Sequence, residues 1–282
     1  PGVGFAGINI TIPHKEAALA LADEATATAR AIGAANTLTF GPGGAVHADN
    51  TDAPGLIAAL GDERPRTAVV LGAGGSARAV VHALASAGVS VSLWNRNAAR
   101  GRSLADEFGV EAVQDLPPAD LLINCTSVGL ADPSSTFKDL PLQADSLGEY
   151  ACVVDLVYRA GGTGLQREAR RRGSRVIDGV EVLVHQGALS FERWTGRAAP
   201  LEVMRRAARG TAARPTELVL AGLAGCTGMD VASLMVELVS AMDGTVVKTW
   251  TPQDVAPDVV QSISWNGRLG RTPAQVAIGA PW

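Results

Sequence analysis

Val69-Val70-Leu71-Gly72-Ala73-Gly74-Gly75-Ser76-Ala77-Arg78-Ala79 is an apolar run that breaks into glycines and opens a helical pattern, Ala79-Val80-Val81-His82-Ala83-Leu84. A strand that turns into a helix this way aims free backbone N–H groups and the positive end of the helix dipole at one point, where phosphates sit well. Gly72 permits the tight turn, Gly74 lets backbone approach a pyrophosphate, and the small Ala77 lets helix pack closely on strand. A lone G-x-G-x-x-A also occurs as a plain turn. Here a second strand-like run, Val89-Ser90-Val91-Ser92-Leu93-Trp94, follows at βαβ spacing. That context predicts a dinucleotide site on Gly72, Gly74, Gly75, Ser76 and Ala77.

The end of the second run bears on which dinucleotide. An NAD site places Asp or Glu there, about twenty residues past the glycines, to hold the ribose 2′-hydroxyl. This chain has Asn95-Arg96-Asn97-Ala98-Ala99-Arg100 instead. No carboxylate is present to repel a 2′-phosphate, and the guanidiniums of Arg96 and Arg100 can grip one bidentately. The expectation is NADP, with Asn95, Arg96 and Arg100 at its phosphorylated ribose. Without the glycine turn upstream, the same arginines would read as solvated surface charges.

At 282 residues the chain holds one large or two modest domains, and its 47% apolar content is carried by small aliphatics, with aromatics at only 4%. That suits helices packed on a buried parallel sheet. A net charge of −4 leaves no basic stripe for nucleic acid. Cys125, Cys152 and Cys226 are odd in number and widely spaced, which reads as reduced thiols of a cytoplasmic protein, not a disulfide frame or zinc site. His14, His47, His82 and His185 show no metal spacing, and His82 on an apolar helix face reads as structural. No apolar run is long enough to span a membrane.

Along the chain, residues 7–13 read as a strand ended by Pro13, followed by a helix to about residue 31. Segments 35–40 and 45–50 form a hairpin-like pair around Gly41-Pro42-Gly43-Gly44, and a helix covers 53–60. The polar break Gly61-Asp62-Glu63-Arg64-Pro65-Arg66 marks a boundary. Strands at 68–71, 89–94, 121–125, 153–156 and 175–177 then alternate with helices. Helices follow at 182–190 and 200–208. The expected fold is α/β: a doubly wound parallel sheet, Rossmann-like, with an incomplete α/β substrate-binding lobe and an extra C-terminal segment. The division is 1–60 as partial substrate lobe, 61–184 as NADP domain, 185–210 as helices returning to the substrate lobe, and 211–282 as a tail. Within the tail, 218–223 reads as a strand, 230–242 as an apolar-striped helix and 245–250 as strand-like.

Moving a hydride from an alcohol also requires moving a proton, so an acid/base group must stand near the carbinol. Lys15, at a helix start after a proline and among uncharged residues, is one candidate, because desolvation there would lower its pKa toward the working range. Asp52, in the polar loop Asp49-Asn50-Thr51-Asp52-Ala53-Pro54-Gly55, is another. Taken singly, Lys15 reads equally as a surface lysine and Asp52 as a helix cap.

The blocks Gly7-Ile8-Asn9-Ile10-Thr11-Ile12-Pro13-His14-Lys15, Gly33-Ala34-Ala35-Asn36-Thr37, Asn50-Thr51-Asp52, the glycine loop, Asn95-Arg96, Asn124-Cys125-Thr126-Ser127-Val128-Gly129, Asp155-Leu156-Val157-Tyr158 and Val184-His185-Gln186-Gly187-Ala188 occur in one order. From about residue 5 to 209 the chain resembles the shikimate dehydrogenases. The resemblance implies reversible NADP-dependent oxidation of shikimate to 3-dehydroshikimate, a step of chorismate and aromatic amino acid biosynthesis, by a cytoplasmic monomer or homodimer. It implies Lys15 as acid/base with Asp52 beside it, Asn36 and Gln186 on substrate hydroxyls, and Thr11 and Tyr158 around the same ring. It implies the loop with Thr126 and Val128 under the nicotinamide, and Gly179 in the cofactor set.

Two departures set expectations. The family's opening βαβ units, with a Ser-x-Ser pair for the substrate carboxylate, are not found in these residues, so the strand near residues 8–12 is expected to lie at a sheet edge. An NADP-binding remnant without turnover is therefore an alternative, as is an NAD-dependent quinate/shikimate enzyme, which Asn95-Arg96 opposes. Beyond residue 209, the block from Pro215 to Val231 resembles a segment of the osmotically inducible/organic hydroperoxide resistance family. That gives Cys226 two readings, a peroxidatic thiol or a buried structural one.

Overall fold

A computed structural model of the chain describes residues 6–11, 13–159, 161–209, 236–239 and 246–250. The first sheet is built from β1 (Gly7–Asn9), β2 (Glu24–Ala25), β3 (Thr37–Phe40) and β4 (Val46–Asp49), with α1 (Lys15–Leu21) and α2 (Ala27–Ile32) between its strands. Its order is β1-β3-β4-β2; β3 pairs antiparallel with β1 and β4, and β2 runs parallel to β4. The expected hairpin is β3–β4. The expected edge is β1, where Ile8 is 37% exposed.

The single helix anticipated through residue 31 is instead two helices and a strand. Ala22 leaves α1 in an extended conformation, and the side chain of Asp23 accepts the backbone N–H of Val46 at 2.8 Å. Thr26 then caps α2 through Ala29 N–H at 3.1 Å. Alanine-rich composition masks this break, because short polar side chains that bond to backbone compete with helix continuation.

After α3 (Asp52–Leu60) come β5 (Thr67–Leu71), α4 (Gly75–Ser86), β6 (Ser90–Trp94), α5 (Ala98–Phe108), β7 (Glu111–Ala112), β8 (Leu121–Asn124), α6 (Thr136–Asp139), β9 (Cys152–Asp155), α7 (Gly164–Arg171) and β10 (Arg175–Asp178). These strands form one parallel sheet in the order β10-β9-β8-β5-β6-β7. Every residue of β8 and β9 is buried, which is why each opens on three apolar residues before its polar end, Asn124 or Asp155. Chain order reverses between β5 and β8, and such a reversal opens a crevice at the carboxyl ends of the two strands.

Two helices close the described body: α8 (Gly179–Thr195), packed along α3, and α9 (Leu201–Ala208), packed on α8. One core cluster joins Ile32, Leu56 and Leu60 to Val70, Val80, Leu84, Leu93 and Ile123, so α2 and α3 share apolar contacts with the parallel sheet and α4. His82 packs edge-on to Phe108, with ring centroids 6.2 Å apart.

The tail departs from one expectation. Where a helix was expected over 230–242, β11 (Val236–Val239) pairs antiparallel with β12 (Val246–Trp250) in a sheet of their own. Val-Glu-Leu-Val alternates and is β-branched at both ends, and so short an apolar run satisfies strand and helix periods alike. The segment 218–223 and Cys226 lie outside the described residues.

Candidate functional site

Lys15 is the first residue of α1 and is 6% exposed. A buried ammonium must be paired. Its Nζ lies 2.6 Å from Asp52 Oδ2 and donates to Ser76 Oγ at 3.4 Å. Its methylenes lie over Gly75, where an added methyl would stand 3.3 Å from Lys15 Cδ. The side chain thus runs from the first sheet's helix to the opening turn of α4. The capping role considered for Asp52 falls instead to Asn50, whose Oδ1 accepts from Asp52 N–H at 3.1 Å and Ala53 N–H at 3.2 Å. That leaves the Asp52 carboxylate free for Lys15.

Asn36 and Gln186 meet beside this pair, both buried. Asn36 Nδ2 has acceptors at Thr51 Oγ1 (2.9 Å), Asp52 Oδ1 (2.9 Å) and Gln186 Oε1 (3.0 Å). An amide carries two hydrogens, so these three acceptors compete. Gln186 is held from behind by its own Nε2, which donates to Leu183 O at 2.9 Å. A buried hydroxyl triangle supports the group: Thr37 Oγ1 lies 3.1 Å from Thr51 Oγ1 and 2.8 Å from Ser190 Oγ, with Thr51 and Ser190 3.2 Å apart. Asn9 Nδ2 donates to Ser190 Oγ at 2.9 Å. Ser190 went unmarked in the sequence, where it reads as one more small residue on an apolar helix. Gly55 was also unmarked. A methyl there would sit 2.8 Å from Gln186 Cβ, so its bare backbone is what lets α3 touch α8 at this residue.

The glycine turn has the anticipated strand–turn–helix form. Gly72 sits at φ +112°, a conformation that side chains resist, with its α-carbon facing Cys125 and Thr126. Gly74 precedes α4 with no side chain capping the helix, and a methyl there would meet nothing within 4 Å. The backbone at Gly74 therefore faces open space, and no side chain caps the N–H groups of the helix that follows. Ala77 is fully buried against the strand side. At the end of β6, Asn95 Nδ2 donates to Asn97 O at 2.8 Å, and Arg100 Nε donates to Ala73 O at 2.9 Å, tying this loop to the glycine turn. Arg96 is exposed and has no hydrogen bond or ion pair among the described residues.

Across the crevice, Asn124 Oδ1 accepts from both N–H (3.0 Å) and Oγ1 (2.7 Å) of Thr126, and Thr126 Oγ1 accepts Val128 N–H at 3.1 Å. Burial pushes the Cys125 thiol well above its ordinary range, with Asp155 adding to the effect. Gly179 begins α8 against the loop after β9, where a methyl would collide with Leu156 O at 2.4 Å. Tyr158 is half-buried in that loop. Thr11 accepts His14 N–H at its carbonyl at 2.9 Å, closing the turn into α1. Lys15, Asp52, Asn36, Gln186 and Ser76 therefore form one connected set, with Gly75 in contact.

Comparison with known proteins matches this arrangement to one family. Family models described as shikimate dehydrogenase substrate binding domain, shikimate / quinate 5-dehydrogenase and shikimate 5'-dehydrogenase C-terminal domain match residues 2–38, 58–129 and 179–209. The shikimate dehydrogenase (NADP(+)) of Roseobacter denitrificans is 45% identical over 223 residues, covering 74% of this chain and 79% of that protein. The chain belongs to the shikimate dehydrogenase family. The enzyme of that name from one strain of Thermus thermophilus is 47% identical over 210 residues, covering 73% of this chain and 78% of that protein. The crystal structure of shikimate 5-dehydrogenase from another Thermus thermophilus strain, in complex with NADP(H) and shikimate, superposes with a TM-score of 0.67 at 44% identity, covering 74% of this chain and 80% of that one. None of the three matched models reaches the block at 215–231 that suggested a hydroperoxide-reducing segment.

Proposed function

We propose that this chain is an NADP-dependent oxidoreductase that interconverts shikimate and 3-dehydroshikimate, with Lys15 and Asp52 as its proton-handling pair. The observation that carries the reading is the buried Lys15–Asp52 contact at 2.6 Å, lying directly against Gly75 and Ser76 of the glycine turn. An alcohol oxidation needs its base beside its hydride acceptor, and no other ion pair of the described residues touches that turn.

The residues present fit NADP. The uncapped first turn of α4 beyond Gly74 and the open space there suit a pyrophosphate. The unpaired guanidinium of Arg96 and the outer nitrogens of Arg100 suit a 2′-phosphate, with Asn95 presenting no repelling carboxylate. The loop of Thr126 and Val128 supplies the opposite wall of the crevice, with Gly179 setting the backbone behind it. When bound, NADP supplies the hydride acceptor. Lys15 Nζ takes up the substrate hydroxyl proton as the neutral amine and returns it as the ammonium, and Asp52 holds that nitrogen in place and balances the ammonium's charge. Thr51 Oγ1, Asp52 Oδ1 and Gln186 Oε1 outnumber the two hydrogens of the Asn36 amide, so a substrate hydroxyl can donate to whichever acceptor is released. Thr11 and Tyr158 complete the ring contacts.

In this reading residues 1–60 and 185–210 form the substrate side, and 61–184 the cofactor side. The free thiols Cys125 and Cys152 suit the cytoplasm, and no helix among the described residues is long and apolar enough to cross a membrane. The test is ultraviolet absorbance of NADPH on mixing the protein with NADP and shikimate. Turnover with at least about tenfold preference for NADP over NAD is expected. NADP binding without turnover would select the non-catalytic remnant.

A further inference from the structure

We propose that Asp155 is a positioning residue for this reaction: its buried carboxylate locks together the two loops that flank the crevice, one after β8 and one after β9. The proposal rests on the functional reading above for its kinetic consequence, and on geometry alone for the lock.

Asp155 is fully buried at the carboxyl end of β9, opposite Asn124 at the carboxyl end of β8. Oδ1 bridges the end of β8 and the loop after β9, and Oδ2 ties that loop to the start of α7. Oδ1 accepts Asn124 Nδ2 at 2.9 Å and Val157 N–H at 3.2 Å. Oδ2 accepts Thr163 Oγ1 at 2.5 Å and Gln166 Nε2 at 3.3 Å, and Gln166 Nε2 also donates to Val157 O at 3.0 Å. Val157 is thus pinned at both its N–H and its carbonyl, and Tyr158 follows it directly.

The chemistry of the group sets the direction of the whole chain of bonds. An ionised carboxylate only accepts, so it forces Asn124 to present its NH₂. The Asn124 carbonyl oxygen must then face Thr126, where it accepts both the N–H and the hydroxyl. With its hydrogen committed there, Thr126 Oγ1 is left to accept from Val128. A group with no acceptor at position 155 leaves the amide free to turn over, and the loop loses its polarity. Burial raises the Asp155 carboxyl above its ordinary range, and the donors from Thr163, Val157, Asn124 and Gln166 oppose that rise. No residue placed in proton transfer touches it, which separates this role from catalysis.

The experiment compares the full chain with Asp155→Leu and Asp155→Asn, using backbone hydrogen exchange and steady-state kinetics. Asn can still accept from Asn124 and Val157 through its one carbonyl oxygen, so it acts as the conservative variant. In Asp155→Leu, exchange at Thr126, Val128 and Val157 is expected to quicken at least about tenfold, with β5 and α3 unchanged. Turnover is expected to fall at least about tenfold while the NADP dissociation constant stays within about threefold, and Asp155→Asn is expected to restore most of the loss. Unchanged exchange at Thr126 and Val128 would overturn the lock. Equal losses in turnover and NADP affinity, or no rescue by Asn, would overturn the positioning role. Should Asp155→Leu fail to fold, Thr163→Val removes one bond to the carboxylate and must quicken exchange at the same amides. Absence of shikimate turnover in the unaltered protein would count against the functional reading alone, since the exchange arm would still decide the lock.

Discussion

Lys15 Nζ and Asp52 Oδ2 are 2.6 Å apart, and they come from the first turns of two helices, α1 and α3, with β2, β3 and β4 between them in sequence. The lysine is almost wholly enclosed, with 7% of its side chain exposed against 19% for the aspartate. Asp52→Asn keeps an oxygen that can accept from Lys15 but removes the charge that balances the enclosed ammonium. Asp52→Asn is therefore expected to lower turnover by about 10²–10⁴-fold, the usual weight of an acid/base group. It should also cost about 1.5–3 kcal/mol of stability, as for a hydrogen bond between charged groups. Steady-state kinetics and urea unfolding measure the two effects, and an unchanged turnover number would contradict the assignment.

Gly55 gives a prediction about substrate affinity with no polar group altered. A methyl at this position collides with Gln186 Cβ, N and Cα, all within 2.9 Å, so α8 must move away from α3. Overpacking of this kind costs about 1–3 kcal/mol. Gly55→Ala is expected to raise the KM for shikimate by roughly tenfold or more, because Gln186 loses register with Asn36, while NADP affinity stays near its original value. Equal losses for both ligands would show a general collapse instead.

Selectivity for the phosphorylated dinucleotide should rest chiefly on Arg96. Arg100 has its Nε committed to Ala73 O, whereas Arg96 has no partner among the described residues. Arg96→Ala is expected to weaken NADP binding by about 1.5–3 kcal/mol, roughly tenfold to a hundredfold, and to leave NAD binding unchanged. Titration with both dinucleotides checks this. Arg100→Ala should weaken both, since it also frees the glycine turn.

The seam between α8 and α9 carries a pH prediction. Arg205 donates to both oxygens of Glu181, with Nε at 2.9 Å from one and 3.1 Å from the other. This bond and the nearby charges of Arg205, His185 and Arg209 hold the Glu181 carboxyl below its ordinary range, against a smaller opposing effect of burial. A carboxylate whose pKa is lower folded than unfolded stabilises the fold above the unfolded value, about 4.3, and loses that contribution as pH falls through the folded value. Glu181→Gln should therefore lower Tm at pH 7, and the gap from the unaltered protein should close below about pH 4. A gap independent of pH would show that packing, not ionisation, sets it.

Much of this site was legible because polar blocks with no packing purpose stand out in an apolar chain. Lys15, Asn36, Asp52 and Gln186 are such residues, and the structure joins them in one hydrogen-bonded set. The parallel sheet was legible from its apolar runs and from the glycine turn. What escaped notice acts through shape or through long-range pairing. Gly55 matters only because α8 lies against it. Ser190 matters because β3 and Thr51 lie beneath it. Asp155 could be quoted as part of a motif, but its link to Asn124 exists only once β8 and β9 are neighbours. Local competition also won over periodicity at Asp23 and Thr26, which split one expected helix, and at β11, where a short run satisfied two periods.

The account turns on Lys15 as the proton carrier beside the cofactor cradle. Lys15→Met keeps the unbranched length over Gly75, with sulfur in place of Cδ, and removes the ammonium. Turnover of shikimate with NADP, measured by NADPH absorbance alongside NADP binding, is the most direct test. The expected result is a loss of turnover of at least about a hundredfold with NADP affinity within about threefold of the unaltered protein. Turnover that survives the substitution would contradict the account.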